Sequence, residues 1–247
     1  MKSTLTPSLF IGFLLASALT VLAAPSSYFS ATGVQDMGST NDWGTNPERD
    51  SDTAFELTFD FTTAVDTETN PVHLWEAGGS GTGAALVLNG DNLHFFAGNS
   101  NDDVVTGLHG LTAGTTGVQV VAVFDVEGGT GTNESLSIYV NGVDITSGGV
   151  DADTAGVWDG GEANSTLGYF LGPGNTERYN GTGLFDTNSV VGYDETGETN
   201  ISFAVYQLAS GGGPADNTLG NILVAVPEVS TVALLGLFGS LVLLRRR

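Results

Sequence analysis

No cysteine occurs anywhere in the 247 residues. Disulfide scaffolds, thiolate metal sites and thiol catalysis are therefore excluded, and an apolar core must hold the chain, with or without bound ions. Basic residues are nearly as scarce, with six Lys and Arg against 28 Asp and Glu. Lys2 stands at the N-terminus and Arg245, Arg246 and Arg247 at the C-terminus, which leaves Arg49 and Arg178 for the middle. From Ala24 to Val226 these two arginines meet 27 acids, a net charge of −25. Nucleic acid and anionic membrane surfaces need clustered cations, so both are poor partners for this region. Such self-repulsion points to a saline or calcium-containing exterior, or serves solubility alone. Helical periodicity is missing between the ends as well, and no internal repeat of fixed period argues for a propeller or solenoid.

Glycine is abundant, at 36 residues. It tolerates positive φ and weakens helix interiors, so with plentiful Thr, Val, Asn and Asp it favours short strands joined by tight turns. The segment Phe55-Glu56-Leu57-Thr58-Phe59-Asp60-Phe61 alternates apolar and polar residues as a half-buried strand does. Val72 to Trp75 is a second strand candidate, and Ala84–Leu88 and Leu93–Phe96 flank Asn89-Gly90-Asp91 as a hairpin. Val118–Phe124 is the most apolar run and reads as a central strand. Leu136–Val140 and Val143–Ile145 flank Asn141-Gly142 as another hairpin, and Leu167–Leu171 and Ile201–Tyr206 are late strands. Residues Gly172 to Thr199 read as long rim loops, and Leu219 to Val224 as a last edge strand after the Gly211-Gly212-Gly213-Pro214 linker. The fold class expected is all-β, a two-sheet antiparallel β-sandwich.

Both ends read as addresses. The apolar run Leu9 to Ala16 and the small residues Val21 and Ala23 suit a signal peptide over residues 1–23, cut between Ala23 and Ala24. At the other end, Val226-Pro227-Glu228 precedes an apolar segment and three terminal arginines. As a helix, Val229–Leu244 would rise roughly 24 Å at about 1.5 Å per residue, a thin single transmembrane span against a hydrocarbon core of about 30 Å. The arginines would stay cytoplasmic and leave the acidic domain outside. Residues 226–247 resemble a PEP-CTERM sorting signal, although Val229 stands where the second proline of that motif belongs. The resemblance implies processing by signal peptidase and an exosortase, inner-membrane tethering during sorting, and delivery to the cell surface or extracellular matrix of a Gram-negative-type bacterium.

The middle, residues 24–225, resembles the concanavalin A-like, laminin-G-like jelly roll, chiefly through the hairpin Leu136-Ser137-Ile138-Tyr139-Val140-Asn141-Gly142-Val143. That resemblance implies a domain that binds glycans, proteins or matrix, with relatives that are glycoside hydrolases or polysaccharide lyases. The hydrolases place carboxylates as Glu-x-Asp-x-x-Glu on one strand, and no such run is present. Glu56 and Asp60 share a face, read as the solvent side. His73, His94 and His109 have no metal-ligand spacing; the first two read as ordinary strand positions and the third as a loop residue. No catalytic residue is assigned.

The best chemical match is to calcium. Asp151, Asp153, Gly156, Asp159 and Glu162 fit positions 1, 3, 6, 9 and 12 of an EF-hand-like loop, while Ala155 fails position 5. Trp43 and Trp158 lie in polar stretches where they could stack on sugar rings, whereas Trp75 reads as core. The main expectation is a non-catalytic surface or matrix protein whose partner is an extracellular polysaccharide or surface protein. The alternatives are a polysaccharide-active enzyme on the same scaffold and a calcium-dependent lectin.

Overall fold

The computed structural model describes residues 27–38, 52–66, 69–77, 83–97, 104–125, 135–149, 165–172, 183–208 and 217–224. Strand β3, Thr53–Phe61, shows how the sequence builds the core. Phe55, Leu57, Phe59 and Phe61 leave one face of it and are buried; Glu56, Thr58 and Asp60 leave the other. This is the expected two-residue period.

Sheet A has six strands in the order β1 (Phe29–Thr32), β14 (Ile201–Gln207), β3, β8 (Thr115–Asp125), β9 (Ser135–Val140) and β10 (Val143–Asp144). Sheet B has eight. Its main order is β11 (Thr146–Gly149), β7 (Val104–Leu108), β6 (Asn92–Ala97), β5 (Ala84–Asn89), β4 (Val72–Ala77), β12 (Thr166–Leu167) and β2 (Gln35–Asp36), and β13 (Val191–Gly192) adds to β4. Every pairing is antiparallel except the short β13–β4 contact. The two-sheet antiparallel β-sandwich is thus present. β8 is an internal strand, as its apolar run requires.

An aromatic stack joins the sheets. Trp75 of sheet B lies 4.9 Å from Phe55 and 4.9 Å from Phe203, both of sheet A. Each large side chain fully buried in this way contributes about 1.5–3 kcal/mol. Both expected hairpins form, with different turn residues at their centres. Val140 pairs with Val143, so Asn141 and Gly142 are the two loop residues and take φ of 49° and 78°. In the earlier hairpin Asn89 pairs with Asn92, which moves the turn one residue on, to Gly90-Asp91.

Three expectations are corrected. Leu219–Val224 is not an edge strand but most of helix α2 (Asn217–Val224), which follows α1 (Thr63–Asp66) as the second helix. Leu219, Ile222 and Leu223 recur at helical spacing and lie on the outer face of sheet A against Ala54, Val121, Val123, Tyr139 and Tyr206. The short strand expected over Leu167–Leu171 ends at Leu167.

The third correction concerns the C-terminal transmembrane helix. Among the described residues no helix is long and apolar enough to cross a membrane. The eight residues of α2 rise only about 12 Å. Among the described residues no helix supplies the expected membrane character or the inner-membrane tether. The residues to which those roles were given, Ala23, Ala24, Val226, Pro227, Glu228, Arg245, Arg246 and Arg247, lie outside the described residues.

Candidate functional site

The outer faces of the two sheets are the surfaces on which a ligand site can be built. On sheet A, Glu56 accepts hydrogen bonds from the Tyr206 hydroxyl (2.7 Å) and from Gln119 Nε2 (2.6 Å). The same Gln119 nitrogen donates to the Ile222 carbonyl of α2 at 3.0 Å. Burial, and then the Glu56 carboxylate, hold the Tyr206 phenol well above its ordinary pKa. A Cβ at Gly142 would meet the Leu223 carbonyl at 3.0 Å, so the hairpin turn also fits under the helix. Beside α2 a shallow depression of about 190 Å³ is lined by Ser30, Thr32, Glu56, Thr58 and Ser202 among others. Asp60 is occupied as well, accepting from the Gly117 N–H (2.8 Å) and from Asn200 Nδ2 (2.8 Å). Glu56 and Asp60 therefore serve the fold here, and Glu56 is half-buried rather than on a free solvent face.

Sheet B presents different chemistry. Pairing places His73, Val87, His94 and Thr106 in one row across β4, β5, β6 and β7, and Glu76, Ala85, Phe96 and Val104 in the next. A bulge makes this possible. His73 faces Val87 and Trp75 faces Leu86, leaving Leu74 as an extra residue. Leu74 and Trp75 both turn into the core, and Glu76 returns to the outer face with His73. Phe170 and Phe185 lie over this face against Ala85, Val87, Phe96 and Val104.

The three histidines differ in kind. His73 is buried and bonds through Nε2 to Thr166 Oγ1 at 3.0 Å. His109 Nε2 donates to the Gly90 carbonyl (3.1 Å), while its Nδ1 accepts from the Leu111 N–H (2.9 Å), which fixes its tautomer in a structural role. His94 is 5% exposed, and neither of its ring nitrogens has a hydrogen-bond partner. Burial alone lowers its pKa to about 4, so the ring is neutral at physiological pH. Phe185 meets it edge-on at 5.8 Å, and Phe96 lies at 6.4 Å.

The residues singled out from sequence divide accordingly. Trp75 is core and fully buried, as expected. Asp151, Asp153, Asp159, Glu162, Trp43 and Trp158 lie outside the described residues. Among the described residues no group of three or more His, Asp or Glu could hold a metal ion. Glu76, Phe96, Phe170 and Phe185 were not anticipated. The available signal was two histidines in two predicted strands, whose cross-strand proximity needs the pairing order.

No protein-family model matches the chain, and no curated protein matches it, so the sorting-signal resemblance finds no support there. Solved structures do match. A structure titled Ruminococcus gnavus IT-sialidase CBM40 bound to α2,3-sialyllactose is 13% identical, with a TM-score of 0.48 over 73% of this chain and 92% of that one. The NanB sialidase of Streptococcus pneumoniae is 13% identical at a TM-score of 0.47, over 74% of this chain and 26% of that one. The chain thus spans about a quarter of the sialidase's length (26%). The receptor-binding domain of a botulinum neurotoxin of mosaic serotype C/D is 8% identical at 0.41, over 70% of this chain and 36% of that one. The two-sheet antiparallel β-sandwich is established by the chain's own strand pairing. Likeness at this level concerns the fold and assigns no residue a role.

Proposed function

We propose that this chain is a non-catalytic carbohydrate-binding β-sandwich that takes an uncharged glycan on the outer face of sheet B. The observation carrying this reading is the arrangement on that face, in which neutral His94, His73 and Glu76 are interleaved with Phe96, Phe170 and Phe185. Aromatic rings supply apolar contact for the faces of a sugar, and a few polar groups among them orient its hydroxyls.

Net charge favours neutral over acidic sugars. All six Lys and Arg lie outside the described residues, and the region from Ala24 to Val226 carries −25. An anionic sugar approaching a region of that net charge meets net repulsion. The sialyllactose bound by the R. gnavus module is therefore not the ligand class proposed for this chain. The non-catalytic part of the reading is supported by Glu56 and Asp60, whose carboxylates hold Tyr206, Gln119, Gly117 and Asn200.

Titration of the isotope-labelled chain with lactose, cellotetraose, xylotetraose and α2,3-sialyllactose, followed by NMR, tests this. At least one neutral sugar is expected to saturate with shifts centred on Ala85, Val87, His94 and Phe96, to remain uncleaved, and to bind more tightly than sialyllactose. Preference for sialyllactose, or shifts centred on the Ser30–Ser202 depression, would overturn it.

A further inference from the structure

The sheet B face has the form of a trough that is already occupied. Its floor is Ala85 and Val87, small side chains of β5 that are fully buried. One side carries His73 and Glu76 from β4, the other His94 and Phe96 from β6. The two sides are two strand spacings apart, about 10 Å, which is room for one ring between them. Phe185 fills part of this space, lying at 6.2 Å and 88° to Phe96 as well as edge-on to His94.

Resting on the binding role just proposed for this face, we propose that the structure is the closed form of the site. Phe185 is a displaceable plug, and His94 is the hydrogen-bonding anchor that a ligand hydroxyl reaches when Phe185 leaves. One observation and one chemical fit carry this. A buried imidazole with both nitrogens unpaired is costly, and such groups in folded proteins ordinarily find a partner; Phe185 packs edge-on against His94 and supplies none. A neutral imidazole offers one donor and one acceptor, the complement of a sugar hydroxyl.

The turn that carries the plug is held by its own hydrogen bonds. Asp186 Oδ1 accepts from the Asn188 N–H (2.9 Å) and from Asn188 Nδ2 (2.9 Å), and the Ser189 hydroxyl donates to the Asp186 carbonyl at 2.6 Å. The turn after Phe185 thus has bonds of its own to keep its shape. Phe185 is only half-buried, although the floor beneath it is sealed.

Histidine modification by diethyl pyrocarbonate, mapped by mass spectrometry on the full chain, tests the plug without any ligand. Phe185→Ala is expected to raise the rate at His94 at least tenfold and leave His73 and His109 unchanged, with Phe185→Leu in between. An unchanged His94 rate in Phe185→Ala overturns the plug, whatever the sugars do. Saturating neutral sugar from the panel above is then expected to return the Phe185→Ala rate towards wild type. That variant should bind the sugar several-fold more tightly than wild type, and His94→Phe should lose binding. Exposure of His94 with no protection by any neutral sugar overturns the anchor and the glycan reading together, leaving Phe185 as a cover only. Sugar binding retained in His94→Phe overturns the anchor alone.

Discussion

Helix α2 covers the outer face of sheet A, and two irregular segments cover that of sheet B. Their chemistry differs more than their architecture. Under α2 Glu56 takes Tyr206 and Gln119, and Gln119 Nε2 reaches the helix backbone at Ile222, so that Gln119 Oε1 alone is left unpaired in this group. Beside Phe185, His94 is buried and its ring nitrogens are bonded to nothing. A carboxylate and an amide held by several bonds are stabilised by their cover, whereas an imidazole with both nitrogens unpaired carries a larger cost that a ligand can remove. On the reading proposed above, the contrast separates a structural face, sheet A, from a binding face, sheet B.

The comparison can be broken in order of effect. Leu219→Ala removes a fully buried side chain between α2 and sheet A and is expected to cost roughly 3–4 kcal/mol in denaturant unfolding; a cost near zero would mean that α2 is a loose cover. Next comes pH. The pKa of His94 falls from 6.5 to about 4 on folding, so between these values the unfolded chain holds the extra proton. The stability that neutral His94 contributes is complete above pH 6.5 and is lost as pH falls towards 4, by about 3 kcal/mol. Urea titrations at pH 7 and pH 4 should show that difference in wild type relative to His94→Gln, and equal pH dependence would remove the desolvated imidazole from the account. Tyr206→Phe deletes the bond to Glu56 and should cost about 1.5 kcal/mol, with no effect on sugar binding. Phe185→Ala, on the sheet B side, is expected to cost about 1 kcal/mol because its ring is only partly buried. Equal costs for Leu219→Ala and Phe185→Ala would erase the distinction between the covers.

Legibility followed the range of the determining interaction. Residues 55–61 alternate because one face of β3 is core, and the Asn141-Gly142 turn is local chemistry; both were visible. The strand β7, Val104–Leu108, was not anticipated: Gly107 interrupts it, and its turned-in Val105 is one small residue. Residues 219–224 are apolar and short enough to suit strand or helix. Only the space above Val121 and Val123 favours the spacing of Leu219, Ile222 and Leu223. The Leu74 bulge escaped for a related reason, since strict alternation would have put His73 and Trp75 on one side.

What the chain determined by itself is the all-β class, the two hairpins, an acidic domain without disulfides, and the burial of Trp75. These follow from side-chain period, turn residues and charge, all within a few positions of one another. Tertiary structure alone decided that α2 is a helix, that Glu76 joins His73 across a bulge, and that Phe185 closes over His94. Each depends on which strands become neighbours, and pairing between residues 94 and 185 is settled by packing across the sandwich that no short stretch of sequence contains.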